Sequence, residues 1–105
     1  MEMKRSLFEA LKMFDLTVRD DYSGRGMFGA QCFALDTDNL ATSVAWLTNA
    51  LVEFIQNASA EEQDAVDCAT ELLEQNAFAN PKVDSMGLGY IVYFPNITVE
   101  NETDG

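Results

Sequence analysis

Six carboxylates fall within residues 61–74, at Glu61, Glu62, Asp64, Asp67, Glu71 and Glu74, and no lysine or arginine separates them. Asp64, Asp67, Glu71 and Glu74 recur at i, i+3, i+7 and i+10, with Glu61 three residues earlier. On a helix that spacing makes one stripe, with acidic groups about 4.5–6 Å apart along the axis. The interval approximates the phosphate repeat along a nucleic-acid strand, so the stripe offers electrostatic mimicry of a phosphate backbone. The plainer reading is a solvated face that keeps an acidic protein soluble. Either way the arrangement costs stability, because like charges three or four residues apart oppose a helix by roughly 0.2–0.5 kcal/mol per pair. Glu71 and Glu74 also lie toward the helix end where the dipole disfavours anions.

Two glycine-rich segments are the other candidates. Ser23-Gly24-Arg25-Gly26-Met27-Phe28-Gly29 matches GxGxxG in letters, but it leads into a strand, whereas a dinucleotide-binding loop leaves a strand and opens a helix. Its glycines are better explained by a wide hairpin loop that needs positive φ. Arg25 stands between two of them, beside Tyr22, and suits a carboxylate, phosphate or carbonyl on a partner. Folding back onto Asp20 or Asp21 is its other option, a pairing worth little at a surface. The second segment is Asp84-Ser85-Met86-Gly87-Leu88-Gly89-Tyr90. If both segments meet at one end of a sheet, Tyr22, Ser23, Arg25, Ser85 and Tyr90 or Tyr93 line a polar-aromatic pocket.

Much chemistry is excluded. No histidine is present, which removes Ser-His and Cys-His catalysis and most zinc sites. Cys32 and Cys68 show no CxxC spacing and sit among apolar neighbours, where a thiol packs as a small hydrophobe. Asp36-Thr37-Asp38-Asn39 begins like a calcium loop, then places Leu40 where a third ligand should stand. No catalytic residue, metal or cofactor is therefore expected. With Lys+Arg 6 against Asp+Glu 18, a net charge of −12 leaves no basic surface for direct nucleic-acid binding. There is no apolar leader and no run long enough to cross a bilayer, so the expected location is cytoplasmic.

The elements that must position these groups follow from hydropathy. Leu7, Phe8, Leu11 and Phe14 predict a short helix over 4–13, and the alternation of Phe14, Leu16 and Val18 predicts a strand. Residues 20–26 read as a loop. The run 28–35 reads as a second strand, with Cys32 and Ala34 on a face small enough for a helix to approach and Phe33 and Leu35 on the other. Asp36-Thr37-Asp38 signals a helix start, with an Asp or Thr of that run as the cap of a long helix to about Gln56 that carries Leu40, Val44, Leu47, Leu51, Phe54 and Ile55. Trp46 on this helix reads as core or as a contact between copies. Ser59 and Glu62 form a capping box for the acidic helix, which runs to about Ala77 before Asn80-Pro81. Residues 88–94 make the third strand. The resulting fold class is α+β: a three-stranded antiparallel sheet packed on one face by a helical hairpin, plus the N-terminal helix. One domain spans 1–99, and 100–105 form a flexible acidic tail.

The segments Tyr22–Gly29 with Cys32, and Met86–Pro95 (MGLGYIVYFP), resemble small uncharacterised acidic proteins of phages and prophages. The resemblance implies no activity, but small acidic phage proteins include anti-restriction and anti-CRISPR inhibitors, some of them DNA mimics. The leading expectation is thus a non-enzymatic inhibitor that binds a basic nucleic-acid-handling protein through Glu61, Asp64, Asp67, Glu71 and Glu74. The alternative is a small-molecule or peptide-binding module around Arg25 and Tyr22.

Overall fold

A computed structural model describes residues 1–101 of the chain. In order the elements are β1 (Glu2–Met3), α1 (Arg5–Leu11) with a 3₁₀ turn over Lys12–Phe14, β2 (Thr17–Tyr22), β3 (Cys32–Thr37), α2 (Leu40–Asn57), a 3₁₀ turn over Ala60–Glu62, α3 (Gln63–Glu74), β4 (Lys82–Met86), β5 (Gly89–Phe94) and β6 (Thr98–Val99). The class is α+β, with the strands in two sheets where one of three strands was expected. The larger sheet is antiparallel in the order β2-β3-β5-β4, and β1 pairs parallel with β6 beside it.

The extra and displaced strands have a common cause. β3 and β5 lie centrally and are buried along Cys32–Leu35 and Ile91–Phe94, so their sequences read as strands. The edges are charged. In β2 the residues taken for a loop, Asp20 to Tyr22, continue the strand because Arg5 pairs with Asp20 at 2.8 Å and Arg19 with Asp36 at 3.2 Å. In β4, Lys82 and Asp84 interrupt the apolar pattern, yet an edge strand needs only one partner and tolerates charge. The β1–β6 pair is too short for any periodicity to announce it.

Helix ends follow local chemistry. β3 extends through Thr37, so the cap of α2 falls on Asn39, whose side chain accepts the Ala41 N–H at 3.1 Å, rather than on Asp36, Thr37 or Asp38. The capping box at Ser59 forms, with the Glu62 carboxylate accepting the Ser59 N–H at 3.0 Å. α3 stops at Glu74 instead of Ala77. Asn76 adopts φ +52, its N–H meets the Leu73 carbonyl, and the Ala77 N–H meets that of Leu72, which closes the helix as a Schellman motif. Glu100, assigned to the tail from its polarity, is half-buried: its N–H donates to the Met3 carbonyl and its carboxylate pairs with Lys4 at 3.6 Å. Residues 102–105 of that tail lie outside the described residues.

All three helices cover one face of the large sheet. Leu7, Phe8 and Leu11 of α1, Leu47, Leu51 and Phe54 of α2, and Ala65, Ala69 and Leu72 of α3 join Phe33, Leu35, Val92 and Phe94 in one core. Phe33 sits at its centre, edge-on to Phe8 at 6.1 Å and within 6.0 Å of both Phe78 and Phe94. The helices therefore pack on the bulky face of β3, not on its small-residue face as expected from Cys32 and Ala34. Phe33→Ala should lower unfolding free energy by about 3–5 kcal/mol, read from urea denaturation, since it empties the site joining α1 to the sheet.

Candidate functional site

The acidic residues of the candidate stripe are all exposed. Asp64, Asp67 and Glu71 lie along α3, Glu74 is its last residue, and Glu61 belongs to the preceding 3₁₀ turn rather than to the helix. Asp64, Asp67 and Glu71 share a shallow groove with Glu2, Lys4 and Cys68 against the N-terminal strand. Side chains inside the stripe satisfy part of it: Gln63 donates to Asp67 at 2.8 Å and Gln75 to Glu71 at 3.0 Å. Four of the six cations are committed elsewhere. Lys4 pairs with Glu100, Arg5 with Asp20 and Glu9, Lys12 with Glu9, and Arg19 with Asp36. Among the described residues, no carboxylate between Glu61 and Glu74 takes part in a salt bridge.

The glycine-rich loop is the wide hairpin expected, joining antiparallel β2 and β3 with Gly26 at φ +84 and Gly29 at φ +88, and it has a packing role besides. It closes over the face of the sheet that the helices leave open, where Cys32, Ala34, Ile91 and Tyr93 form a second, smaller core with Tyr22 and Met27 against it. Gly24 lies so close to the Tyr93 ring that a Cβ there would fall 2.4 Å from its nearest carbon. The Met27 sulfur accepts the Gly24 N–H at 3.2 Å, which folds the loop back over itself. Tyr22 and Tyr93 meet at 5.1 Å between ring centroids, and the Tyr22 hydroxyl donates to the Asp84 carboxylate. That bond spans the sheet from one edge strand to the other. It raises the Tyr22 pKa from 10.0 to about 12, with burial and the Asp84 charge adding to it. Burial is also the main reason the Tyr93 hydroxyl is raised.

The polar-aromatic pocket expected from the two glycine segments does not form. The Gly87–Leu88 turn lies at the end of the sheet where Thr37 pairs with Tyr90, whereas the Arg25 loop follows Tyr22 at the end where Tyr22 pairs with Cys32. Tyr90 and Ser85 pair on the helix-side face, and Tyr22 and Tyr93 on the opposite one, so only Tyr22, Tyr93 and Asp84 converge. The sequence signal for Asp84 was absent because its strand was illegible. Arg25 is exposed and makes no salt bridge among the described residues, so it does not fold back onto Asp20, which Arg5 holds. Phe28 is 99% exposed and has φ +53, an unfavourable backbone for a bulky residue. Trp46, for which core was the simpler assignment, is 50% exposed.

The thiols are buried and unpaired, Cys32 in the smaller core and Cys68 in the larger, on opposite sides of the sheet. Burial raises both above their ordinary pKa, which leaves them protonated and unreactive near neutrality. No group of three or more metal-ligating side chains comes together among the described residues, and no helix there is long and apolar enough to cross a membrane. Comparison with protein-family models, with curated proteins and with solved structures finds no match.

Two outcomes follow for the loop-covered face. Because Tyr22 stays protonated to a higher pH when folded, its contribution to stability is full below pH 10 and is lost between pH 10 and about 12. Tyr22→Phe should cost about 1 kcal/mol at neutral pH and flatten the alkaline loss, measured by denaturation across pH. Gly24→Ala should cost about 1–3 kcal/mol, because the added methyl displaces Tyr93 from a packed position.

Proposed function

We propose that this protein is a non-enzymatic inhibitor that presents the α3 carboxylates to a basic, nucleic-acid-handling protein, occupying the surface on which that partner binds phosphates. One observation carries this reading. The carboxylates from Glu61 to Glu74 are exposed and unbridged by cations, while four of the six cations are spent on acids outside this segment. A solvated face kept only for solubility has no need to concentrate its charge along one helix, where self-repulsion costs stability. Such a decoy acts where its target does, in the cytoplasm, and belongs with the anti-restriction and anti-CRISPR kind of phage-encoded inhibitor. Its binding follows from opposed charge, so it should associate quickly and weaken with salt.

A second reading has one observation in its favour. Phe28 holds a large apolar side chain in water on a strained backbone, beside the unbridged Arg25. Strain of this kind is retained where a contact uses it. In that reading a peptide or small molecule meets Arg25, Tyr22 and Phe28, and the acidic helix serves solubility alone.

The two readings separate in an affinity capture from host lysate at low and moderate salt. The baits are wild type, the fourfold amide variant (Asp64→Asn, Asp67→Asn, Glu71→Gln, Glu74→Gln) and Arg25→Ala. The decoy requires capture of a nucleic-acid-handling protein that DNA displaces. The amide variant should weaken that capture by about tenfold or more, each exposed charge being worth roughly 0.2–1 kcal/mol. Capture that survives the amides and fails with Arg25→Ala moves the site to the loop. Independently, Glu71→Gln with Glu74→Gln should raise unfolding free energy by roughly 0.5 kcal/mol, because it relieves both the mutual repulsion and the dipole at the end of α3. A gain in stability paired with a loss of capture is the signature of charge held for binding.

A further inference from the structure

Trp46 stands half-exposed on α2 between two clefts that both include Asp15 and Leu16 in their walls. The larger, about 460 Å³, runs toward the end of the sheet and adds Ser43, Asp38 and Tyr90; the smaller, about 340 Å³, runs the other way along α2 and adds Asn49 and Glu53. Together they make a two-compartment groove divided by an indole. We propose that this groove binds an arginine-bearing segment of a partner protein, with a guanidinium laid against Trp46 and Asp15 as its counter-charge.

Charge complementarity selects the occupant. Asp15, Asp36, Asp38 and Glu53 border the groove; Asp36 is paired with Arg19, whereas the other three make no salt bridge among the described residues, and neither compartment has a lysine or arginine in its wall. A planar guanidinium also stacks on an aromatic face more readily than a lysine ammonium does, and tryptophan is the best partner. Among the described residues both cation–aromatic contacts fall on Phe8, from Arg5 and Lys12, so Trp46 carries no cation of the chain's own. Ser43, only 1% exposed, backs the larger compartment, its hydroxyl donating to the Leu40 carbonyl.

Other occupants fit less well. The carboxylates do not gather closely enough to hold a metal ion. A second copy of a chain with net charge −12 would bring like charge to an acidic groove. The division on either side of Trp46 suits an extended segment that places successive side chains in separate compartments, more than a single compact cation. The inference does not depend on the α3 stripe, which contributes no residue to either compartment.

Trp46 is the chain's one tryptophan, so its emission reports on the groove directly. The full chain is titrated at moderate salt with a tri-arginine peptide amide, its tri-citrulline counterpart and spermidine. A saturable change with tri-arginine and none with tri-citrulline is the expected result. Asp15→Asn, an exchange that suits the φ of +62 at this position, should weaken tri-arginine by about two- to fivefold. Asp38→Asn provides a second variant should the first disturb folding, and the fourfold α3 amide variant should retain the wild-type response. The proposal is overturned if tri-arginine leaves the emission unchanged, if tri-citrulline matches it, or if both Asp15→Asn and Asp38→Asn bind as wild type does. Spermidine binding more tightly than the peptide would make a free polyamine the occupant and overturn the assignment to a protein segment.

Discussion

β3 and β5 are apolar on both faces, and the rest of the molecule is arranged to keep both faces dry. One face takes Phe33, Leu35, Val92 and Phe94 and needs helices; the other takes Cys32, Ala34, Ile91 and Tyr93 and needs a thinner cover. The three α-helices among the described residues all lie on the first face, and the loop between β2 and β3 folds over the second. That is possible because Gly24 has no side chain to collide with the Tyr93 ring, and because Met27 supplies a flexible apolar filler. Of the glycines that look like a ligand loop, Gly24 is thus required by packing, and Gly26 and Gly29 by their positive φ. The bond from Tyr22 to Asp84 then ties the two edge strands across the same face.

Electrostatics is distributed as unevenly as hydrophobicity. Arg5 alone joins three parts of the chain, meeting Asp20 of β2 at 2.8 Å, donating to the Glu100 carbonyl at 2.8 Å, and lying over Phe8 at 5.1 Å. It is partly shielded from water, where such pairs are worth more than fully exposed ones. Lys4 and Lys12 also serve the N-terminal helix region. With so few cations, most of them used for architecture, the α3 carboxylates and, in the Trp46 groove, Asp15, Asp38 and Glu53 stand outside every salt bridge among the described residues. Both proposed surfaces arise from this shortage, and they recognise positive charge in different ways. α3 offers a line of charges with little shape, while the groove offers shape and an aromatic face with few charges.

The elements that sequence displayed were those whose pattern is set by burial alone. α2 and α3 have a single apolar stripe, and β3 and β5 have none of the interruptions that mark edges. The edge strands were misread because their charged residues are satisfied by partners remote in sequence: Asp20 by Arg5, Arg19 by Asp36 and Asp84 by Tyr22. The stop of α3 was legible in principle at Asn76, a residue that tolerates the left-handed backbone a Schellman motif needs. Of the candidate residues, the acidic run was visible as a spacing, and the structure exposes it. The Arg25 pocket was not recoverable, because it assumed a strand order and a face for each tyrosine that one-dimensional pattern does not contain.

By itself the sequence determined the fold class, the long helix and its acidic neighbour, the burial of the thiols among apolar neighbours and the scarcity of cations, since each is a matter of composition or of local period. Only the tertiary structure decided which face of β3 the helices take, what the glycine loop covers, and where Trp46 stands. Those depend on which segments meet, and a face that is small and apolar suits a helix or a loop equally until the volumes on both sides of the sheet are filled. The bulky face claimed the helices because Phe33 interlocks there with Phe8, Phe78 and Phe94, and the loop took what remained.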